Sequence, residues 1–205
     1  MAGKITAETP KAALRKEIIA ARDALPPDTR RELSARITLQ LLKLDAYLNA
    51  RCVLAYMSFG SEYETAAIVD DVFARGIELC LPRVDRTTRR LEVHRIEDIG
   101  RDLQSGTWGI PEPRAGCPRA DLERIDFVLL PGVAFTPRCE RLGYGGGFYD
   151  RLIPRFAKRP PLVAAAYALQ MRDEIPLGDT DQRIDMVVTE KTILGNGEWG
   201  IGNRE

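Results

Sequence analysis

Short, nearly unbroken apolar runs alternate with stretches whose apolar residues recur every three or four positions. The first pattern fits strands buried on both faces and the second fits amphipathic helices. From the N-terminus, helical periodicity covers residues 10–25, with Pro10 near the first turn. Pro26-Pro27 ends that helix, and Asp28 or Thr29 offers a cap for a second helix running to about Leu44. The run 52–57 reads as a buried strand, 58–64 as a loop and 65–75 as a helix stopped by Gly76. Residues 77–81 read as a second strand. A strand–helix–strand unit of this kind marks a parallel sheet. Further strands are predicted around His94, over 126–130, 162–167 and 186–189, with a short helix from Phe148. The first nine residues and the glycine-bearing tail after Lys191 read as peripheral or irregular. No repeat or linker interrupts the pattern. The expectation is one α/β domain over 1–205, three layers deep, with helices on both faces of a mainly parallel sheet. In such sheets ligands bind beyond the C-terminal strand ends.

Composition narrows the chemistry. The 30 basic and 30 acidic residues cancel, so no global field draws the chain to nucleic acid or to an anionic membrane. Cys52, Cys80, Cys117 and Cys139 are scattered without a CxxC pair, which speaks against zinc. No leader and no membrane-length apolar stretch is evident, so a cytoplasmic, thiol-reducing setting is expected. The chain contains a single histidine, His94, inside the alternating run Leu91-Glu92-Val93-His94-Arg95, where it reads as an ordinary strand residue. Multi-histidine metal sites are excluded, and histidine-dependent nucleophilic mechanisms would need His94 itself. Carboxylates, arginines, lysines and backbone amides must carry any catalysis.

The most informative run is Arg141-Leu142-Gly143-Tyr144-Gly145-Gly146-Gly147-Phe148-Tyr149-Asp150-Arg151. Four glycines in five residues let backbone N–H groups approach a ligand, and flanking arginines and a helix start favour phosphate. The run is not a GxxxxGK[ST] loop. It also fails the GxGxxG fingerprint, because Phe148 stands at the third glycine position. A plain structural loop is the competing reading. Asp150 is either a carboxylate favoured by the helix dipole or a magnesium ligand that turns repulsion from phosphate into attraction.

On a helical wheel Leu14, Ile18, Ala21 and Leu25 form an apolar stripe. Lys11, Arg15 and Arg22 form a basic stripe beside it, within about 40° of one another. Such a border position suits charges leaning over a cleft, and it equally suits long side chains reaching for solvent.

Taken together, Pro131-Gly132-Val133-Ala134-Phe135 and the glycine run resemble the signature of the 5-formyltetrahydrofolate cyclo-ligase family. The likeness extends to Lys11-Ala12-Ala13-Leu14-Arg15 with Arg22, to Glu62-Tyr63-Glu64-Thr65, and to the tryptophan and Glu-Pro segment 108–113. Asp181 and Asp185, which lead into Val187-Val188-Thr189, extend it further. The resemblance implies the layered fold shared with sugar-phosphate isomerases and acyl-CoA transferases. It also implies a reaction in which ATP phosphorylates the formyl oxygen of 5-formyltetrahydrofolate. N10 then closes the ring to 5,10-methenyltetrahydrofolate, and ADP and phosphate are released.

Carried over by position, Lys11, Ala12, Ala13, Leu14 and Arg15 would contact ATP, as would Arg141, Leu142, Gly143, Tyr144, Gly145, Gly146, Gly147, Phe148 and Tyr149. Arg141 would be the catalytic charge partner, and Asp150 and Asp181 would hold Mg²⁺. Met57, Glu62 and the stretch from Tyr144 through Gly145, Gly146 and Gly147 to Phe148 would bind the reduced folate. A monomer is expected. Thr136 and Cys139 stand where the family usually shows an aspartate and a glycine. That departure leaves a binding-only relative as the alternative, and an isomerase or transferase sharing the fold as a further one.

Overall fold

The structure is a computed structural model that describes residues 9–106 and 109–195. Its first helix, α1 (Pro10–Asp23), is capped by Thr9 and carries Pro10 in the first turn. Next, α2 (Pro27–Leu41) starts directly on Pro27 with no side-chain cap, so neither Asp28 nor Thr29 serves as expected. Proline has no N–H to satisfy and its φ already suits a first helical turn. The chain turns after Leu42 into the short α3 (Asp45–Leu48), which lies beyond the predicted end near Leu44 and was not anticipated.

Strand β1 (Cys52–Leu54), helix α4 (Ala66–Ala74) and strand β2 (Glu78–Asp85) form the expected strand–helix–strand unit. The second strand runs longer than its apolar core because it continues as a hairpin into β3 (Arg90–Ile96). A four-residue helix, α5 (Ile99–Asp102), leads to a small pair of strands, β4 (Leu103–Ser105) and β5 (Pro111–Pro113). Strand β6 (Phe127–Leu130) is buried throughout. A second small pair follows, β7 (Ala134–Phe135) and β8 (Arg141–Leu142), and then helix α6 (Phe148–Leu152). Strands β9 (Leu162–Ala165), β10 (Met186–Val188) and β11 (Ile193–Gly195) complete the chain. The last corrects the reading of an irregular end: a turn closed by Thr189 and Thr192 brings Ile193 and Leu194 back against β10.

The main sheet has the order β11-β10-β9-β6-β1-β2-β3. Its five inner strands are parallel, and β3 and β11 pair antiparallel at the edges. Alternation along each strand splits the core between two faces. Ile37, Leu41 and Tyr47 from α2 and α3, with Ile68 and Val72 from α4, cover Val53, Leu79, Phe127 and Val163. On the other face Leu152, Ile153 and Phe156, in α6 and the turn after it, cover Leu54, Val128, Leu130 and Leu162. This is the expected three-layer arrangement. Each wholly buried Val or Leu contributes about 1.5–3 kcal/mol by leaving water. His94 is an interior strand residue as expected, 3% exposed, with Nδ1 2.9 Å from the Cys117 carbonyl oxygen. Among the described residues no helix is long and apolar enough to cross a membrane.

Candidate active site

Successive strands run outward in opposite directions from the β1–β6 boundary, with β2 and β3 on one side and β9 and β10 on the other. The ends of β1 and β6 therefore diverge into a crevice, the usual ligand position in open α/β sheets. The cleft there has a volume of about 430 Å³. Residues after β1 (Tyr56, Met57, Phe59, Glu62) line one side, and Pro131 with the loop from Arg141 to Asp150 lines the other. Lys11, Arg15 and Asp181 close a third side.

The basic stripe of α1 faces this cleft. Arg15 Nε donates to the Gly143 carbonyl at 2.7 Å, Lys11 Nζ bonds Asp181 at 2.5 Å, and Arg22 Nη2 donates to the Tyr144 hydroxyl at 2.9 Å. Positions separated by four residues share a helix face. That is why Lys11 and Arg15 reach the cleft while Ala12, Ala13 and Leu14 do not line it. Leu14 instead packs beside Ile18, Val133 and Leu142. Ala21, expected in the apolar stripe, is exposed, and the 3%-exposed Arg22 takes the inward place because it reaches Tyr144.

The glycine loop needs its glycines for two distinct reasons. Gly145 (φ 98°) and Gly147 (φ 63°) lie in the left-handed region that L side chains resist. A Cβ at Gly145 would also stand 3.3 Å from the Arg15 guanidinium carbon, so the loop and the cation share one space. The helix that follows is only five residues long. Its dipole is correspondingly small, and the anion-binding character rests on Lys11, Arg15, Arg141 and loop amides more than on a helix terminus.

Arg141 lies on β8, 4% exposed. Its Nη2 bonds Asp150 Oδ1 at 2.8 Å, and its Nη1 donates to the Pro131 carbonyl at 3.3 Å. Asp150 Oδ1 also accepts the Gln182 amide at 3.2 Å, which draws the Asp181 segment against α6. Asp181 Oδ2 takes both Lys11 and the Gly178 amide. Burial pushes the Asp181 carboxyl up, but Lys11, the Gly178 amide and Arg141 outweigh it, leaving it below the usual range. Each carboxylate thus commits one oxygen and makes no hydrogen bond through the other among the described residues.

The turn carrying Arg141 is intact despite Thr136 and Cys139. The Thr136 hydroxyl donates to Glu140 at 2.8 Å, and Thr136 N–H bonds the Glu140 carbonyl at 3.1 Å. Cys139, where the family usually has glycine, adopts φ 59°.

At the opposite end of the cleft, the loop after β1 is tied to itself. Thr65 Oγ1 accepts the Ser58 amide at 3.0 Å, and Glu62 Oε2 accepts the Phe59 amide at 3.1 Å. The Tyr167 hydroxyl fixes the Glu62 carbonyl at 3.0 Å. These bonds leave Glu62 4% exposed, with Oε1 making no hydrogen bond among the described residues. Burial raises the Glu62 carboxyl, offset in part by the neighbouring Tyr144 hydroxyl, the Phe59 amide and Arg22. The rings of Phe59 and Tyr144 approach to 5.4 Å across the cleft.

Met57, Glu62 and residues 141–150, all named from the sequence, line one cleft with Lys11, Arg15 and Asp181. Sequence reasoning left out Phe59 and Tyr56, and it named Arg22 in the basic stripe without giving it a ligand. Nothing local marks the two aromatic residues. Of the tryptophan and Glu-Pro segment, Ile110, Pro111 and Glu112 line the cleft, and Trp108 lies outside the described residues.

The crevice of this α/β domain lies at its topological switch point, basic at one end and apolar around a buried acid at the other. The model of the 5-formyltetrahydrofolate cyclo-ligase family matches residues 7–190, and the chain belongs to that family. It is 28% identical over 196 residues to 5-formyltetrahydrofolate cyclo-ligase of Mus musculus, covering 91% of this chain and 96% of the mouse protein. It is 31% identical over 200 residues to the Saccharomyces cerevisiae enzyme of the same name, covering 87% and 94% of the two chains. The solved Aquifex aeolicus 5,10-methenyltetrahydrofolate synthetase superposes with a TM-score of 0.81 at 30% identity, over 93% of this chain and 94% of that one.

Proposed function

We propose that this cyclo-ligase converts 5-formyltetrahydrofolate to 5,10-methenyltetrahydrofolate in an ATP- and Mg²⁺-dependent reaction. The observation that carries the reading is the buried Glu62, whose Oε1 makes no hydrogen bond among the described residues, in a cleft whose far wall bears Lys11, Arg15 and Arg141. An unsatisfied buried carboxylate oxygen costs stability unless a ligand supplies a donor. The N–H groups of a reduced pteridine or of its formamide edge are such donors, and Met57, Tyr144 and Phe148 offer the apolar surface its ring system needs.

The triphosphate belongs at the other end. Lys11 and Arg15 would hold its oxygens while amides of residues 143–147 approach between the missing side chains. The γ-phosphoryl group passes to the formyl oxygen and ADP leaves. N10 attacks the activated carbon, the oxygen departs with the phosphoryl group as inorganic phosphate, and the proton lost from N10 leaves on that phosphate. Both nucleophiles come from the substrate, so the protein's part is alignment and charge neutralisation. Arg141, already buried and oriented, offsets charge on the transferring group.

The donor set of Asp150 and Asp181 fits Mg²⁺, which typically takes one or two carboxylates and completes its shell with phosphate and water. Held by Asp150 and Asp181, it would supply positive charge that reduces the repulsion between the phosphates and the two acids.

The test is appearance of the methenyl chromophore from 5-formyltetrahydrofolate with ATP present or omitted, alongside ADP measurement. One ADP per methenyl product, and no product without ATP, is expected. Product formed without ATP, or none at high enzyme concentration, refutes the reading. Ligand binding without ADP release would instead mark a binding-only relative.

A further inference from the structure

At the opposite end of β1 and β2 from the cleft, three side chains meet that the folate chemistry does not use. Cys52 begins β1, Glu78 begins β2 and Cys80 follows two residues on. The register pairs Cys52 with Glu78 and Leu54 with Cys80, so all three project from one face of the sheet. Their ligand atoms all lie within 4.8 Å of one another, the one such group of three among the described residues. We propose that Cys52, Glu78 and Cys80 form a binding site for a thiophilic divalent cation of the zinc class.

The spacing fits. A tetrahedral ion about 2.3 Å from each of two sulfurs holds them about 3.8 Å apart, and a sulfur and a carboxylate oxygen about 3.5 Å apart. Cys52 Sγ lies 3.7 Å from Cys80 Sγ and 3.7 Å from Glu78 Oε1. A disulfide does not suit the same pair. The diagonal register, at about 4.8 Å between strands and 3.3 Å per residue, puts the two Cα atoms about 8 Å apart. That exceeds the roughly 7 Å a disulfide bridges without backbone movement.

Charge also balances. Two thiolates and one carboxylate around a divalent ion leave one negative charge, and Arg124 Nη2 sits 2.8 Å from Glu78 Oε2 to offset it. Cys52 and Arg124 both line a cavity of about 750 Å³ at this end of the sheet, the side from which an ion and a completing water ligand would approach. The lack of a CxxC pair counted against zinc in the sequence. The sheet assembles the ligands across two strands instead.

Binding converts two thiols to thiolates and releases two protons per ion. Each ligand thiol must lose its proton before it can hold the ion, so affinity rises with pH.

The test is titration of the metal-free, full-length protein with Cd²⁺, read by the sulfur-to-cadmium charge-transfer absorption. One equivalent should saturate the signal, with two protons released in weak buffer. Cys52→Ala and Cys80→Ala should each abolish it. Glu78→Gln, at a partly exposed side chain, should keep the fold by circular dichroism and weaken binding about tenfold or more. The proposal is overturned by absence of the absorption, by its survival in Cys80→Ala, or by unchanged affinity in Glu78→Gln.

Discussion

Arg141 Nη2 and Asp150 Oδ1 are 2.8 Å apart, with only 3% and 16% of the two side chains exposed. The pair closes the glycine loop upon itself, since Arg141 precedes the loop and Asp150 follows it. It also leaves Asp150 with one oxygen for a second cation. Asp150→Asn keeps the volume and removes the charge. The Mg²⁺ concentration for half-maximal turnover should rise about tenfold or more, because a carboxylate ligand is lost. Stability should fall as well, since breaking a buried pair typically costs about 3–5 kcal/mol. Titrating Mg²⁺ against turnover in the folded variant separates the roles. An unchanged Mg²⁺ midpoint would leave Asp150 as a support for Arg141 alone.

Arg141→Ala should lower turnover about 10²–10³-fold, the range for removing one preorganised charge partner of a transition state. KM for either substrate should move much less. Steady-state kinetics at saturating ATP and folate check this, and a loss confined to KM would reassign Arg141 to ground-state binding.

Glu62 carries a stability signature with a definite sign. Its carboxyl is raised in the folded state by burial. In the unfolded chain it ionises near the ordinary value of about 4.3. Below that value both states hold the proton and no penalty exists. As pH rises through the raised folded value, the native state bears a buried charge that the unfolded state solvates, and stability is lost. Glu62→Gln removes the penalty. At pH 7 the ligand-free variant should be more stable by about 1–3 kcal/mol, while losing folate-dependent turnover. Near pH 4 the difference should vanish. Denaturant melts at the two pH values decide it, and a variant destabilised at pH 7 would mean that the Phe59 amide, the Tyr144 hydroxyl and Arg22 together outweigh the cost of burying the charge.

The parts of this architecture that could be read in advance were those where burial dictates residue type. Val53, Phe127-Val128-Leu129-Leu130 and Leu162-Val163 are buried on both faces, and only apolar residues survive there. The glycine loop was legible because backbone conformation demands glycine at Gly145 and Gly147. The α1 stripe was legible because helix geometry sends Lys11 and Arg15 to one side. What escaped depends on distant partners. The pairs β4–β5 and β10–β11 involve strands of three residues each, too short for a period to emerge. Cys52 and Cys80 become neighbours only through strand register. Phe59 belongs to the cleft because a tightly bonded loop turns it toward Tyr144, which no spacing in the sequence announces.

Arg22 should act on folate binding through Tyr144. It donates to the Tyr144 hydroxyl at 2.9 Å, and its guanidinium carbon lies 5.8 Å from the ring centroid. Its charge also tempers the buried Glu62. Arg22→Met preserves much of the packing and removes those contacts. KM for the folate should rise about tenfold, corresponding to about 1.4 kcal/mol, with kcat changed far less. Tyr144→Phe should give a smaller rise of the same kind. Equal losses in kcat would instead tie Arg22 to the transition state.

Cys139 is a buried non-glycine residue at φ 59°, on the turn that presents Arg141. A Cβ in the left-handed region costs about 1–2 kcal/mol. The thiol recovers part of this by burial, with Sγ 3.6 Å from the Asp185 carbonyl oxygen. Burial of one such small group is worth about 1 kcal/mol, so Cys139→Gly should be close to neutral in stability. Cys139→Ala keeps the strained Cβ and loses the sulfur, so it should be the less stable of the two by about 1 kcal/mol. Alanine outranks glycine in helices and most strands, which makes the reversed order specific to this backbone. Turnover of Cys139→Gly should match the parent, because the Thr136–Glu140 bonds already hold the turn. Equilibrium unfolding of both variants checks the ranking, and alanine proving the more stable would remove the case for strain at this position.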